Sequence, residues 1–584
     1  MMLRPLIGCC FSVIVAGLTT CFGSASVSFP AGGDHQSAKG VVGNPAAPAA
    51  LGQAVQDAYA AGVRMIVINP GTYLVPAENR DMFRMEGWKD TTISAYGVTI
   101  ITAERPWPSA IFDMRHCMNV TVAGPLLSQT ALTAYQGRVT ATGSTSQGEF
   151  YCDWTSDFGY PIMPAEMTKR PSLNVVDART RKLKVGTGDF YSTKWQSLGN
   201  NAFRISGFHG RPLIDAGDWL VARNECAIAC KVHLDGCEHC TIKDVSMMRN
   251  GFAPIFETGG GGNRILGCKW LLGPRPAGAT EEPLVSTMAD GLHSVGTTEG
   301  PDIEDCTMEG VLLDDCIAIH GSFSDLVSSA GSKLIAKGHA SFFAGDPIVG
   351  CDKKGFFAQG KVVAVEHNVD GAGTCTIVTD IALNAPPETK LYNPSACGAG
   401  YKIINCHIGD TRSRGILAKA NSGLIKGNTI VRCGMSAVSL GPEFWWGEAG
   451  YVQHVTVERN KIDQCGGAGY GGAAILLHGD GAIGNGDVNI RDNQVSSSYQ
   501  GDVQIEWSHD VTVSGNAFSG ANPWPEFFKR HPVVQLSNDQ GVSLETNIVR
   551  NAAAYTQEAV AVRENVTGLS HNDARGIRPA IMNR

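Results

Sequence analysis

A short string recurs along the chain: an aliphatic residue, then Asn, Cys or Val three positions later, then an apolar residue two beyond that. It reads as Ile242-Val245-Met247, Ile265-Cys268-Trp270, Ile303-Cys306-Met308 and Ile403-Cys406-Ile408. It continues as Ile425-Asn428-Ile430, Val457-Asn460-Ile462, Ile490-Asn493-Val495, Val513-Asn516-Phe518 and Leu544-Asn547-Val549. Most successive copies lie 22 to 38 residues apart. One such unit per coil, with loops of variable length between, predicts an all-β right-handed parallel β-helix rather than a helical or leucine-rich repeat. The middle position is mostly Cys early and Asn later. Stacked asparagines can hydrogen-bond from coil to coil, and Cys fills the same space as a small buried hydrophobe. These residues therefore read as architecture.

Ahead of the series, LGQAVQDAYAAGVRMIVINPGTYLV predicts an amphipathic helix with Leu51, Val55, Ala58 and Tyr59 on one face, then a strand in which Ile66 and Ile68 alternate with Met65, Val67 and Asn69. A helix there would cover the open first coil, an edge that otherwise invites aggregation. One gap breaks the series, between Ile303 and Ile403. Within it, GDPIVGCDKKGFFAQGKVVAVEHN and TCTIVTDIAL alternate with Gly and Asp at the turns and predict an inserted antiparallel unit. RKLKVGTGDF and LIDAGDWLVARN show a similar pattern earlier. The expected division is a signal segment over 1–25, a cap and first coils over 26–130, and an inserted β module over 131–225. Central coils over 226–324, a barrel-like insertion over 325–398, further coils over 399–550 and a terminal cap or tail over 551–584 complete it.

Composition narrows the partners. At 584 residues, 43% hydrophobic and only 17% charged, the chain is folded rather than disordered, and a net charge of −8 supplies no basic field for nucleic acid. Gly at 70 residues without a three-residue period excludes collagen and implies many tight turns. The N-terminal MMLRPLIGCCFSVIVAGLTTCFGSASVS has a basic start, an apolar run from Leu6 to Leu18 and small residues after it, which reads as a cleaved secretory signal. A membrane anchor needs about 20 apolar residues, and Thr19 and Thr20 interrupt this run. The mature protein is expected to be secreted and off the membrane. Of 18 cysteines, Cys9, Cys10 and Cys21 fall in the signal. Export favours disulfides among the rest. Cys226, Cys230, Cys237 and Cys240 are the densest group, but C-x3-C-x6-C-x2-C is not a zinc-knuckle spacing, so disulfides or packed core thiols are expected there.

Candidate chemistry concentrates between Val285 and Gly321. Asp290 lies in an ADG turn, and Asp314 and Asp315 lie in VLLDDCIAIHG, an otherwise apolar run. Asp290 and Asp314 are 24 residues apart, close to one coil, so their segments can stack on rungs about 4.8 Å apart. Three carboxylates so gathered cannot all ionise freely; at least one pKa rises, giving a protonated acid beside a charged base. Breaking a glycosidic bond requires that division. In GPEFWWGEAG, Trp445 and Trp446 stand beside Glu443 and Glu448 in a glycine-flanked loop, a pattern suited to stacking on a sugar and accepting from its hydroxyls. His293 and His320 flank the acids, and Glu257 in FAPIFETGG is a further acid.

ADG followed one coil later by DDCIAI resembles the polygalacturonase clan of glycoside hydrolases. With GDWLVARN, IEDCTMEGVLLDDCIAIHG, INCHIGDTRSRGILAKA and GPEFWWGEAG in order over Leu213–Asn460, the chain more closely resembles the family 110 α-galactosidases, whose β-helices of the pectate-lyase type carry inserted β-barrels. The GHG motif that polygalacturonases carry after the acid pair is absent. The resemblance implies a secreted, exo-acting, inverting hydrolase of α-galactosyl, including α-1,3-linked, residues, needing no cofactor and no metal. Asp314 would be the general acid, and Asp290 and Asp315 would hold and deprotonate the attacking water. Arg414 and Lys419, matching RGIL-A-K, would join His293, Glu443, Trp445, Trp446 and Glu448 in binding an oligo- or polysaccharide; Arg412 is a neighbouring cation. Two other readings stay open: a β-helical lyase with an Arg or Lys base and acid-held calcium, and a non-catalytic glycan-binding β-helix.

Overall fold

The structure, a computed structural model, describes residues 39–581 apart from 77–81, 104–108, 163–171, 189, 191, 193, 209–211, 225–229, 340, 368–372, 384, 387–388, 469–471, 521–523, 525–527, 529–530, 551–558 and 573–578. The signal segment and Cys226 lie outside the described residues. The rest forms a right-handed parallel β-helix. Three sheets, two of 14 strands and one of 12, run along it. One coil shows the plan: Asp302–Glu304 lies in the first sheet, Thr307–Glu309 in the second and Ile317–Ser322 in the third.

The recurring strings stack as one column. Their first residues pair rung to rung, from Ile242↔Ile265↔Ile303↔Ile403 through Ile425↔Val457↔Ile490↔Val513↔Leu544. Their last residues do the same from Met247 to Val549. Because side chains alternate along a strand, both columns point inward and are buried in one continuous core, except for Val549 at the last rung, which is only partly buried against it.

The middle residue sits at the corner between the first and second sheets. Asn428, Asn460, Asn493, Asn516 and Asn547 form an unbroken ladder in which each Nδ2 donates to the next Oδ1 at 2.9–3.0 Å. Each Nδ2 also donates to a carbonyl of the preceding rung, as Asn428 does to Ile403 at 2.9 Å. Earlier, the thiols of Cys268, Cys306 and Cys406 reach the equivalent carbonyls of Ile242, Ile265 and Ile303 at 3.4–3.6 Å. Cys and Asn thus solve the same problem, a buried backbone acceptor at each corner. The residue just before is left-handed throughout, as at Asp305 (φ 55°), Asn405 (φ 55°) and Asp492 (φ 56°), which accounts for Asp, Asn and Gly there.

This geometry corrects the expectation of disulfides. All 14 cysteines among the described residues are free thiols, and 13 of them are buried. Those of the corner column are spent on rung-to-rung packing.

The helix Leu51–Ala60 buries Leu51, Val55 and Ala58 over the first coil, and Met65–Ile68 follows as a strand. Two modules interrupt the coils. A six-stranded antiparallel sheet spanning Ala134 to Arg223 separates second-sheet strand Leu126–Gln129 from third-sheet strand Val232–Asp235. A closed six-stranded barrel spanning Ser324 to Tyr392 separates third-sheet strand Ile317–Ser322 from first-sheet strand Lys402–Ile404. The modules therefore leave the helix at opposite ends of the third-sheet strands. The first module packs Ala134, Val176, Trp219 and Val221 on Leu284, Val285, Met288, Leu312 and Leu313, the segments that carry the acids.

Candidate active site

The acids lie in the turns that feed the third sheet. Leu292 pairs with Ile317, and Ile317 with Ile416. Counting back two residues on each strand sets Asp290, Asp315 and Arg414 side by side on three successive rungs, although 99 residues separate the last two. One carboxylate oxygen from each of Asp290, Asp314 and Asp315 lies within 4.8 Å of the others. Asp315 is 2% exposed and Asp290 9% exposed, whereas Asp314 is the member that solvent reaches.

Each acid is held differently. Asp315 accepts the Arg414 backbone N–H at 2.8 Å on one oxygen and the guanidinium at 3.1 Å on the other, so both oxygens are committed. Burial opposes the Arg414 charge, but Asp315 and Glu443 outweigh it and raise its pKa. Asp314 uses its Oδ1 to accept the Asp315 N–H at 3.1 Å. Burial first, then repulsion from Asp290 and Asp315, hold its carboxyl well above the ordinary 3.8, against the pull of Arg412 and Arg414. Arg412 is turned to the Leu313 carbonyl.

Asp290 ends a chain of two histidines. His293 Nδ1 lies 2.8 Å from Asp290 Oδ2, the two Nε2 atoms of His293 and His320 are 3.0 Å apart, and His320 Nδ1 lies 2.6 Å from the Gly321 carbonyl. A carbonyl only accepts, so His320 carries its proton on Nδ1. Burial lowers the His320 pKa despite Glu448, which leaves its Nε2 as an acceptor. His293 must then donate from Nε2. Burial works against its charge, but Asp290, with Glu448 behind it, raises its pKa, and donation from both ring nitrogens is the pattern of an imidazolium.

Beyond the acids, Lys419 is wholly buried and donates to Glu443 at 2.8 Å and Glu448 at 2.7 Å, and Arg414 also bonds Glu443. Burial tends to raise the Glu448 pKa, but Lys419, with Arg414 behind it, overcomes it and holds it below the usual carboxylate range. Both glutamates belong to a hairpin over 441–450 whose far strand pairs antiparallel with Gly321–Ser322. Gly450 is required where it crosses Lys419: its φ is +131°, and a Cβ would lie 1.7 Å from the Lys419 carbonyl. Phe444 stacks on Phe323 at 4.9 Å. Trp445 and Trp446 stand at the tip, 73% and 61% exposed, with centroids 5.8 Å apart.

The hairpin divides the third sheet's outer face. On its side of the acids Ala318, His320, Leu417 and Lys419 are buried although they point outward. On the other side His233, Phe256 and His293 remain partly exposed. Glu257 does not reach this face. It alternates inward, 2% exposed, and accepts Asn263 Nδ2 at 2.6 Å, with burial raising its pKa. Sequence reasoning overlooked Phe256 and His233; aligning VHLDG, IFETGG and LHSVG on the third-sheet register places them beside His293.

Comparison with known proteins agrees on the fold. Residues 391–581 match the family model "Right handed beta helix region". Over 193 residues the chain is 23% identical to alpha-1,3-galactosidase B of Bacteroides thetaiotaomicron; the match spans 31% of this chain and only 31% of that protein. Among solved structures, it resembles an exopolygalacturonase from Thermotoga maritima at 9% identity and TM-score 0.38, covering 85% of this chain and 86% of the other. It also resembles PfbA, a surface adhesin of Streptococcus pneumoniae, at 12% identity and TM-score 0.37, covering 90% of each. A fold does not by itself assign a function, so function is argued from the site.

Proposed function

We propose that this protein is a glycoside hydrolase that removes terminal α-galactosyl residues, α-1,3-linked ones among them, from oligo- or polysaccharides with inversion, and that it acts outside the cell. The observation that carries this reading is the unequal treatment of three adjacent carboxyls: burial and its two neighbours push the pKa of the solvent-reachable Asp314 up, while those neighbours are held by Arg414 and His293. Asp314 would give its proton to the departing glycosidic oxygen. Asp290 and Asp315 would hold the water and take its proton as its oxygen attacks the anomeric carbon. The histidine chain keeps Asp290 aimed, and Arg414 does the same for Asp315.

Carboxyl separation alone argues the other way, since pairs about 5 Å apart usually retain configuration. Retention needs a carboxylate oxygen free to bond the sugar, and each oxygen of the buried Asp315 already accepts from Arg414, which leaves a lone pair for a hydrogen of water but no oxygen free for a covalent bond. Water is the better nucleophile here. The hairpin supports removal of a terminal unit, because it blocks the outer face on one side of the acids. The partial match to an α-1,3-galactosidase supports the sugar, and the apolar N-terminal segment supports export.

An NMR time course on α-1,3-galactobiose tests the proposal. The β-anomer of galactose should appear first and mutarotate later. Initial α-galactose would replace inversion with retention, unsaturated products would favour a lyase, and no turnover of any α-galactoside would leave a glycan-binding β-helix.

A further inference from the structure

The third sheet carries aromatic rings at the same outward position on three successive rungs: His233, Phe256 and His293. Phe256 lies 5.7 Å from the His233 ring at an interplanar angle of 23° and 5.4 Å from the His293 ring, and Phe252 meets Phe256 edge-on at 5.5 Å. The run begins at the acids, because His293 is the residue bonded to Asp290. It ends at a polar cluster in which Asp113 bonds His233 at 3.0 Å and Arg115 at 2.9 Å. On the other side of the acids the same outward position is filled by Ala318, Leu417, Ser439, Leu476, Gln504 and Gln535. No ring occupies it there. The rings are thus confined to the side that the 441–450 hairpin leaves open.

We infer that Phe252, Phe256 and His233 form a platform for the part of the glycan that remains after cleavage, so that the substrate is an oligosaccharide lying along the helix axis; this rests on the hydrolase reading above. Three considerations support it. The apolar faces of sugar rings stack on partly exposed aromatic rings, and a row of such rings binds a chain rather than a single unit. The rungs from His293 to His233 span about 10 Å, enough for more than one sugar. Finally, the partly exposed Arg115 and His233, both held by the buried Asp113, offer hydroxyl-bonding groups at the far end, where a longer chain would arrive. The terminal galactosyl unit would sit against the hairpin, and each added sugar would lie over the next ring.

The test measures binding without turnover. In the Asp314→Asn protein, an α-galactosyl tetrasaccharide is titrated against the disaccharide that shares its terminus. The tetrasaccharide should bind more tightly, and Phe256→Ala on that background should remove about tenfold of the advantage, equivalent to about 1.4 kcal/mol. Phe256→Trp should restore it. Phe252→Ala, at the partly exposed ring edge-on to Phe256, gives a second reading should Phe256→Ala disturb the coil, and should also narrow the gap. Equal affinity at both lengths, a gap unmoved by either alanine, or no binding at all overturns the platform. Wild-type protein that cleaves no α-galactoside yet keeps length-dependent binding would overturn the hydrolase reading and leave the platform standing.

Discussion

Asp314 and His293 both neighbour Asp290, yet their surroundings push them toward opposite charges. Asp314 is favoured neutral, mainly by burial, and His293 is favoured charged by Asp290. Asp314→Asn should lower kcat by about 10²- to 10⁴-fold, the usual contribution of a general acid. In wild type the alkaline limb of kcat/KM should follow loss of the Asp314 proton, at a pH well above the ordinary 3.8; a limb that persists in Asp314→Asn refutes the assignment. His293 gives a stability test. Its folded pKa is raised, so its imidazolium stabilises fully below 6.5, and that stabilisation is lost as pH rises through the higher folded value. The Tm deficit of His293→Gln against wild type should therefore be largest near pH 6 and shrink by pH 9; a constant deficit would contradict the pairing. The juxtaposition of Asp290 with the Asp314–Asp315 pair was legible because one coil separates them. The partners of Lys419 were not, since the carboxylates that bury it come from a hairpin whose return path no local pattern records. Glu257 misled for a simpler reason: parity along its strand turns it inward.

At the scale of elements, the corner column is the most readable feature of the chain. The spacing of aliphatic, Asn or Cys, and apolar residues marks two strands and the bend between them; the left-handed residue before the bend was not read from sequence, and Arg459 and Thr546 adopt that conformation as well as Gly and Asp. Asn493 shows how much depends on the column. It accepts from the N–H and Nδ2 of Asn460 and donates to Val457 and Asn516, all at 2.9–3.0 Å. Asn493→Ala strands buried donors and a buried acceptor, and should cost about 2–3 kcal/mol in chemical denaturation. A loss under about 0.5 kcal/mol, the range of ordinary surface changes, would show that the ladder is ornamental. The 441–450 hairpin was visible only as composition. Its tryptophans and glutamates were noted, but not that it would close one side of the acidic face.

For the whole molecule, stability rests on the stacked core, and the thiols of the corner column are part of it. Thermal unfolding with and without dithiothreitol should give midpoints within about 2 °C, whereas losing a native disulfide would cost about 2–5 kcal/mol. A large drop under reduction would place a bridge where the structure has free cysteines. The acids meet through rung pairing and not through distance along the chain, and 99 residues, including an entire barrel, separate Asp315 from its Arg414 partner. Excursions of any length can leave and rejoin the coil without disturbing the alignment of the reacting groups. Selectivity can therefore be retailored in the walls, by trading one excursion for another, while the bond-breaking centre keeps its calibration.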